Sequence, residues 1–133
     1  AAFLEIESDQ FNDFNGHWMP VGGTGWEDKV NQTRTIDITG VELQCENPPE
    51  LAASWGHIVG TEPIPTPTGA SVALNNATLQ FVPIEDGRGP GLSGLYIDVL
   101  EPQALLKAAK QRNCYINDKQ ISICGVRWYL SED

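Results

Sequence analysis

Apolar and polar residues alternate through Val41-Glu42-Leu43-Gln44-Cys45 and again through Leu95-Tyr96-Ile97-Asp98-Val99, which is the period of a strand with one buried face. Each phrase runs into a segment that opens on proline and carries apolar residues at helical spacing. The first spacing predicts a helix from about Pro48 to Val59 with Leu51, Trp55, Ile58 and Val59 as its buried stripe; the second begins at Pro102 and carries Leu105, Leu106 and Ala109. Asn47 is placed to cap the first helix, with Glu50 three residues on, and Gly60 is placed to end it. Asn113 is placed to stop the second. Pro63, Pro65 and Pro67 hold residues 61–68 to an extended stretch or a frayed edge. Residues 71–74 and 78–82 then predict a hairpin about Asn75-Asn76, and residues 120–123 and 126–130 a second one turning at Cys124-Gly125. The opening AAFLEIES also alternates and predicts a half-buried strand, whereas residues 9–34 keep no period and predict an irregular linker packing through Trp18 and Trp26.

The two strand-helix phrases superimpose without a gap at an offset of 54 residues, Gly40 on Gly94 and Pro48 on Pro102, with Leu43 on Ile97 and Leu51 on Leu105. An internal duplication follows, because identical residues recur where backbone geometry is most demanding. Neither copy alone can bury its apolar faces, and two copies can share a sheet.

Composition narrows the function classes. The 133 residues suit one domain with a real core. Eight basic residues against 18 acidic ones leave a net charge of −10, which disfavours nucleic acid and anionic membrane surfaces, since both are bound by neutralising phosphate with Lys and Arg. No apolar run approaches the roughly 20 residues that span a bilayer, and the start has no signal-peptide pattern, so a soluble, cytoplasmic protein is expected. Cys45, Cys114 and Cys124 are too scattered for a disulfide framework or a thiolate zinc site, and are expected as buried reduced thiols. The absence of Met at Ala1 leads us to expect a piece of a longer chain.

The strand-helix-strands plan in tandem, with the connector FVPIEDGRGPGLSGLYIDV and the closing QISICGVRWYL, resembles the vicinal oxygen chelate superfamily, also called the glyoxalase and extradiol dioxygenase fold. The resemblance runs from about residue 35 to 130 and is closest to the C-terminal half of glyoxalase-like proteins with four such units. It implies an α+β fold: two βαβββ units, residues 35–84 and 92–133, joined by a Gly-rich connector at 85–91, form a cupped mixed sheet with helices outside. Residues 1–8 would then be the last strand of an upstream unit and 9–34 a linker. The family's divalent metal is held by a His in each first strand and a Glu in each last strand. Here the matching positions are Gly40 and Gly94, and Val82 and Tyr129 to within a residue. Glycine and valine offer no donor, so no metal and no cofactor is expected between these units.

Alternation then sorts the side chains independently of any family. If Val41, Leu43 and Cys45 and Leu95, Ile97 and Val99 pack under the helices, then Glu42, Gln44, Tyr96 and Asp98 project from the other face, together with Arg127 and Tyr129 from the last strand and Gln80, with Val82, from the first copy. A concave, mixed lining of this kind suits a small organic ligand. Arg127 would clamp a carboxylate or phosphate, Glu42 or Asp98 would take a proton, and Tyr96 or Tyr129 would stack or donate. The competing expectation is that Arg127 pairs with Glu42 or Asp98 and fills the vacated metal position. His17 and His57 have no matching ligand nearby, and GRGPG lacks the Lys and Ser or Thr of a phosphate loop. Three functions stay open. One is a metal-free glyoxalase-like domain that binds a small molecule or supports a catalytic half elsewhere; another is a lyase, isomerase or dioxygenase whose metal is held upstream, with Glu5 as a ligand. The third is a structural or dimerising module, as a homodimer or against the upstream half of the same chain.

Overall fold

The computed structural model describes residues 3–8 and 25–131. Within them two units of identical plan follow one another. The first is β1 (Thr35–Cys45), α1 (Pro48–Val59), β2 (Ile64–Thr66), β3 (Gly69–Ala73) and β4 (Thr78–Pro83); the second is β5 (Gly91–Val99), α2 (Pro102–Gln111), β6 (Tyr115–Asn117), β7 (Gln120–Ile123) and β8 (Val126–Ser131). All eight strands form one sheet in the order β2-β3-β4-β1-β5-β8-β7-β6. The order is the same read from either edge when one unit is exchanged for the other. Each unit pairs its first and last strands in parallel, β1 with β4 and β5 with β8, and the units meet through antiparallel β1 and β5.

Both helices lie on one face, as alternation requires. Leu43 packs with Ala52 and Trp55 of α1 and with Val72, Leu79 and Phe81, while Ile97 and Val99 pack with Leu106 and Ala109 of α2 and with Ile121 and Leu130. Phe81 and Leu106, 0% and 1% exposed, anchor the two clusters; each buried side chain of this size stabilises by roughly 1.5–3 kcal/mol. Proline at the first turn presets φ in both helices. Gly60 ends α1 at φ 74°, and Thr61 N–H closes back on the Gly56 carbonyl at 2.9 Å.

Several local expectations are corrected. Asn47 holds the N-cap position of α1, but its side chain makes no bond to the helix backbone; its amide donates to Glu50 Oε2 at 2.9 Å instead. Ile58 is 55% exposed, because at 3.6 residues per turn it lies about 120° round from Ala52. The strand expected at residues 1–8 is absent over 3–8, where the chain pairs with no neighbouring strand; Leu4 alone packs against the first cluster and Glu5 is exposed. Trp26 is also exposed, ahead of a 3-10 turn at Glu27–Lys29, and His17 and Trp18 lie outside the described residues. Of the cysteines, Cys45 is buried but Cys124 is exposed, since it forms the tip of the β7–β8 turn with φ 52°. No described helix is long and apolar enough to cross a membrane.

Candidate functional site

On the face opposite the helices, strand pairing lines up one row of side chains across the seam between the units. Gln80 of β4 pairs with Glu42 of β1, Glu42 with Gly94 of β5, and Gly94 with Arg127 of β8. The next row carries Gly40, Tyr96 and Tyr129. With glycine at position 94, no side chain stands between the Glu42 carboxylate and the Arg127 guanidinium. Their contact is a buried ion pair, Arg127 Nη2 to Glu42 Oε1 at 2.8 Å and Nε to the same oxygen at 2.9 Å, with the two side chains 15% and 6% exposed. Tyr129 donates its hydroxyl to Glu42 Oε2 at 2.9 Å, and Ser93 donates to Oε1 at 2.7 Å. Among the described residues, all side-chain donors aimed at the Glu42 carboxylate therefore come from β5 and β8.

Burial explains why the network must be this complete. A carboxylate out of water without partners costs several kcal/mol, and donors on both oxygens offset that cost. Burial would lower the Arg127 pKa, but the hydrogen bond and charge of Glu42 outweigh it and hold the guanidinium firmly charged. Tyr129 is pushed up by burial first and then by its bond to Glu42, so its phenol stays protonated well beyond the ordinary range. Burial and then the Glu42 charge raise Tyr96 as well. The two tyrosine rings stack with centroids 4.6 Å apart and planes 17° from parallel.

Glycine at 40 and 94 has a steric reason. A Cβ on Gly94 would lie 2.9 Å from Tyr129 Cε2 and 3.1 Å from Glu42 Oε1; one on Gly40 would lie 2.9 Å from the Thr78 carbonyl oxygen and 3.1 Å from Tyr96 Cδ2. The space beside each glycine is thus taken up by the network and the ring stack. A divalent ion does not fit this donor set, because Glu42, the one buried carboxylate among the described residues, already neutralises a guanidinium. Among the described residues no group of three or more His, Cys, Asp or Glu converges.

Four of the seven residues expected to line this face meet in one network: Glu42, Gln44, Arg127 and Tyr129, with Tyr96 stacked on its edge. Gln80 shares the row at Glu42 but makes no side-chain hydrogen bond among the described residues. Asp98 stands apart, bonded to Ser131 at the end of β8. Val82 pairs with Gln44 and is buried.

Three further members were not foreseen. Ser93 reaches Glu42 because the β1–β5 register shifts by one residue between Glu42 and Leu43, which leaves Ser93 as the extra residue of a bulge. The Ser-Gly pair inside a strand was the available sign. Asp86 and Arg88 come from the connector, which is no free linker. Gln44 Nε2 donates to Asp86 Oδ1 at 2.8 Å and to the carbonyls of Arg88 and Gly89 at 3.2 and 3.1 Å, which straps the connector across the end of β1. The Arg88 side chain, followed by Gln44, holds Asp86 well below the usual carboxylate range.

No protein-family model matches the sequence, and no curated protein matches it. Solved structures do. Methylmalonyl-CoA epimerase from Mycobacterium tuberculosis superimposes with a TM-score of 0.55 at 16% identity, covering 77% of this chain and 91% of that one. A hypothetical protein from Bacillus halodurans C-125 gives 0.52 at 12% identity, covering 73% and 94%. At such identities the likeness speaks to fold. The chain has an α+β, glyoxalase-like fold with one eight-stranded sheet and two helices.

Proposed function

We propose that this protein is a metal-independent, glyoxalase-like binding domain that takes a small organic ligand on its open sheet face, with the Tyr96–Tyr129 stack as the apolar platform and Arg127 as the polar anchor. The carrying observation is the pairing of Glu42 with Arg127, Tyr129 and Ser93 beside two glycines. A carboxylate that accepts from all of these is an acceptor inside the protein, and it holds Arg127 in place instead of taking a substrate proton. Half-buried stacked rings next to a fixed guanidinium suit a guest with a flat apolar body and one anionic group. The methylmalonyl-CoA epimerase likeness supports the scaffold and lends no reaction to it, because at 16% identity it speaks to fold alone.

A thermal-shift screen of the full chain against aromatic acids, aliphatic acids and neutral aromatics tests the reading. Saturable stabilisation by aromatic acids is expected, growing with concentration as mass action requires, together with no stoichiometric metal in elemental analysis of the purified chain. Flat melting curves for every ring-bearing acid up to millimolar concentration, or one tightly held divalent ion per chain, would overturn it.

A further inference from the structure

Asp86 is an exposed connector residue, yet its carboxylate is bound as a ligand would be. Oδ1 accepts from Gln44 Nε2 at 2.8 Å and from the Arg88 backbone N–H at 3.1 Å; Oδ2 accepts from Arg88 Nε at 2.9 Å, from Arg88 Nη2, and from Arg127 Nη1 at 3.4 Å. Two guanidiniums from different parts of the chain thus converge on one oxygen. They do so at the rim of the open face, where the Asp86, Arg88 and Arg127 side chains keep 26%, 41% and 15% exposure. Arg88 also lies against the β7–β8 turn, its Nη1 3.5 Å from where a Cβ on Gly125 would sit.

We infer that Gln44, Arg88 and Arg127 form a carboxylate subsite in which Asp86 stands as a tethered occupant, and that an incoming carboxylate takes its place when the connector swings off the sheet. The charges favour such an exchange. Glu42, Asp86, Arg88 and Arg127 sum to zero, so a guest that carries one negative charge restores the balance Asp86 provides. The guanidinium of Arg127 reaches Glu42 at 2.8 and 2.9 Å and Gln44 at 3.2 Å, so the 3.4 Å contact to Asp86 is the longest of these. That contact is the weakest the guanidinium makes, and so the first to yield. Asp86 sits in a seven-residue connector anchored at β4 and β5, and a short tether of this kind competes at an effective concentration in the millimolar range. The inference rests on the ligand-binding reading above and names the group that Arg127 receives.

Acetate and benzoate are the probes, titrated by calorimetry into the full chain and into Asp86→Ser, which keeps a turn-forming residue and opens the carboxylate position. Freed of its tethered competitor, D86S should bind acetate about tenfold more tightly than the unaltered chain, as expected when the competent state is a tenth populated. Arg88→Gln in the D86S background should remove that gain. Equal acetate affinity in the two chains, or a gain that survives R88Q, would overturn the subsite. The Arg88 Nε–H resonance of the unaltered chain gives a second reading that needs no substitution: it should move on acetate titration, and a static signal at saturating acetate counts against the inference. Preference for benzoate over acetate reports on the tyrosine platform instead, so failure of the ring reading and failure of the subsite are separately visible.

Discussion

Replacing Arg127 by methionine keeps most of the side-chain volume and removes the charge, leaving Glu42 at 5% exposure without its counterion. At 2.8 Å the gross attraction is about 6 kcal/mol for an effective dielectric of 20, and breaking a buried pair by losing one partner typically costs about 3–5 kcal/mol. Tyr129 and Ser93 still donate to the stranded carboxylate, so we expect a loss of about 2–4 kcal/mol for R127M, at the lower side of that range. With a urea m-value of about 1–3 kcal/mol/M for a chain of this size, the midpoint should fall by about 1 M or more at unchanged m. The double substitution E42M/R127M removes both charges and should recover most of the loss, giving a coupling of at least about 1 kcal/mol in the four-member cycle. A loss below about 0.5 kcal/mol for R127M, or single losses that simply add in the double variant, would show that the pair is not the buried, mutually dependent unit described here.

Gly94→Ala should destabilise by about 1–3 kcal/mol through overpacking, since its Cβ would meet the Tyr129 ring and the Glu42 carboxylate; an unchanged melting temperature would contradict that packing. Tyr129 bears on alkaline stability. Its folded pKa is raised above the value of the unfolded chain, so its contribution is complete below about pH 10 and is lost as the pH climbs beyond it. Unfolding free energies measured from pH 8 to 11.5 should therefore fall less steeply in Y129F, and parallel curves for the two chains would refute the assignment.

Period and punctuation carried the fold because the two properties that define it are local. Alternation in β1 and β5 decides which side chains face the helices, and Pro48, Pro102 and Gly60 mark helix ends by backbone geometry that few other residues tolerate. Long-range pairing was less accessible. Alternation put Arg127 on one face with Glu42 and Asp98 as its expected partners, but the choice of Glu42 depends on Gly94 lying between them across two strand pairings. Ser93 was hidden by a bulge that breaks the two-residue period. Asp86 and Arg88 were hidden because a Gly-rich stretch reads as mobile until Gln44, a core-strand amide with no apolar value, is seen to bind its carbonyls. β6 was implied by the βαβββ plan but not placed by periodicity, because three residues are too few to show a period, and Phe3 to Ser8 show the converse, a strand-like alternation with no strand.

The acid of the central pair comes from the first unit and, among the described residues, its side-chain donors come from the second, 51, 85 and 87 residues away. Two copies that began alike have become unequal partners, so a pair of first units or a pair of second units would assemble with an orphaned charge. A one-residue slip in docking β1 on β5 would turn Glu42 toward the helices and strand it in hydrocarbon. The network therefore acts as a proofreader of assembly, because only the pairing of unlike halves leaves its buried acid satisfied.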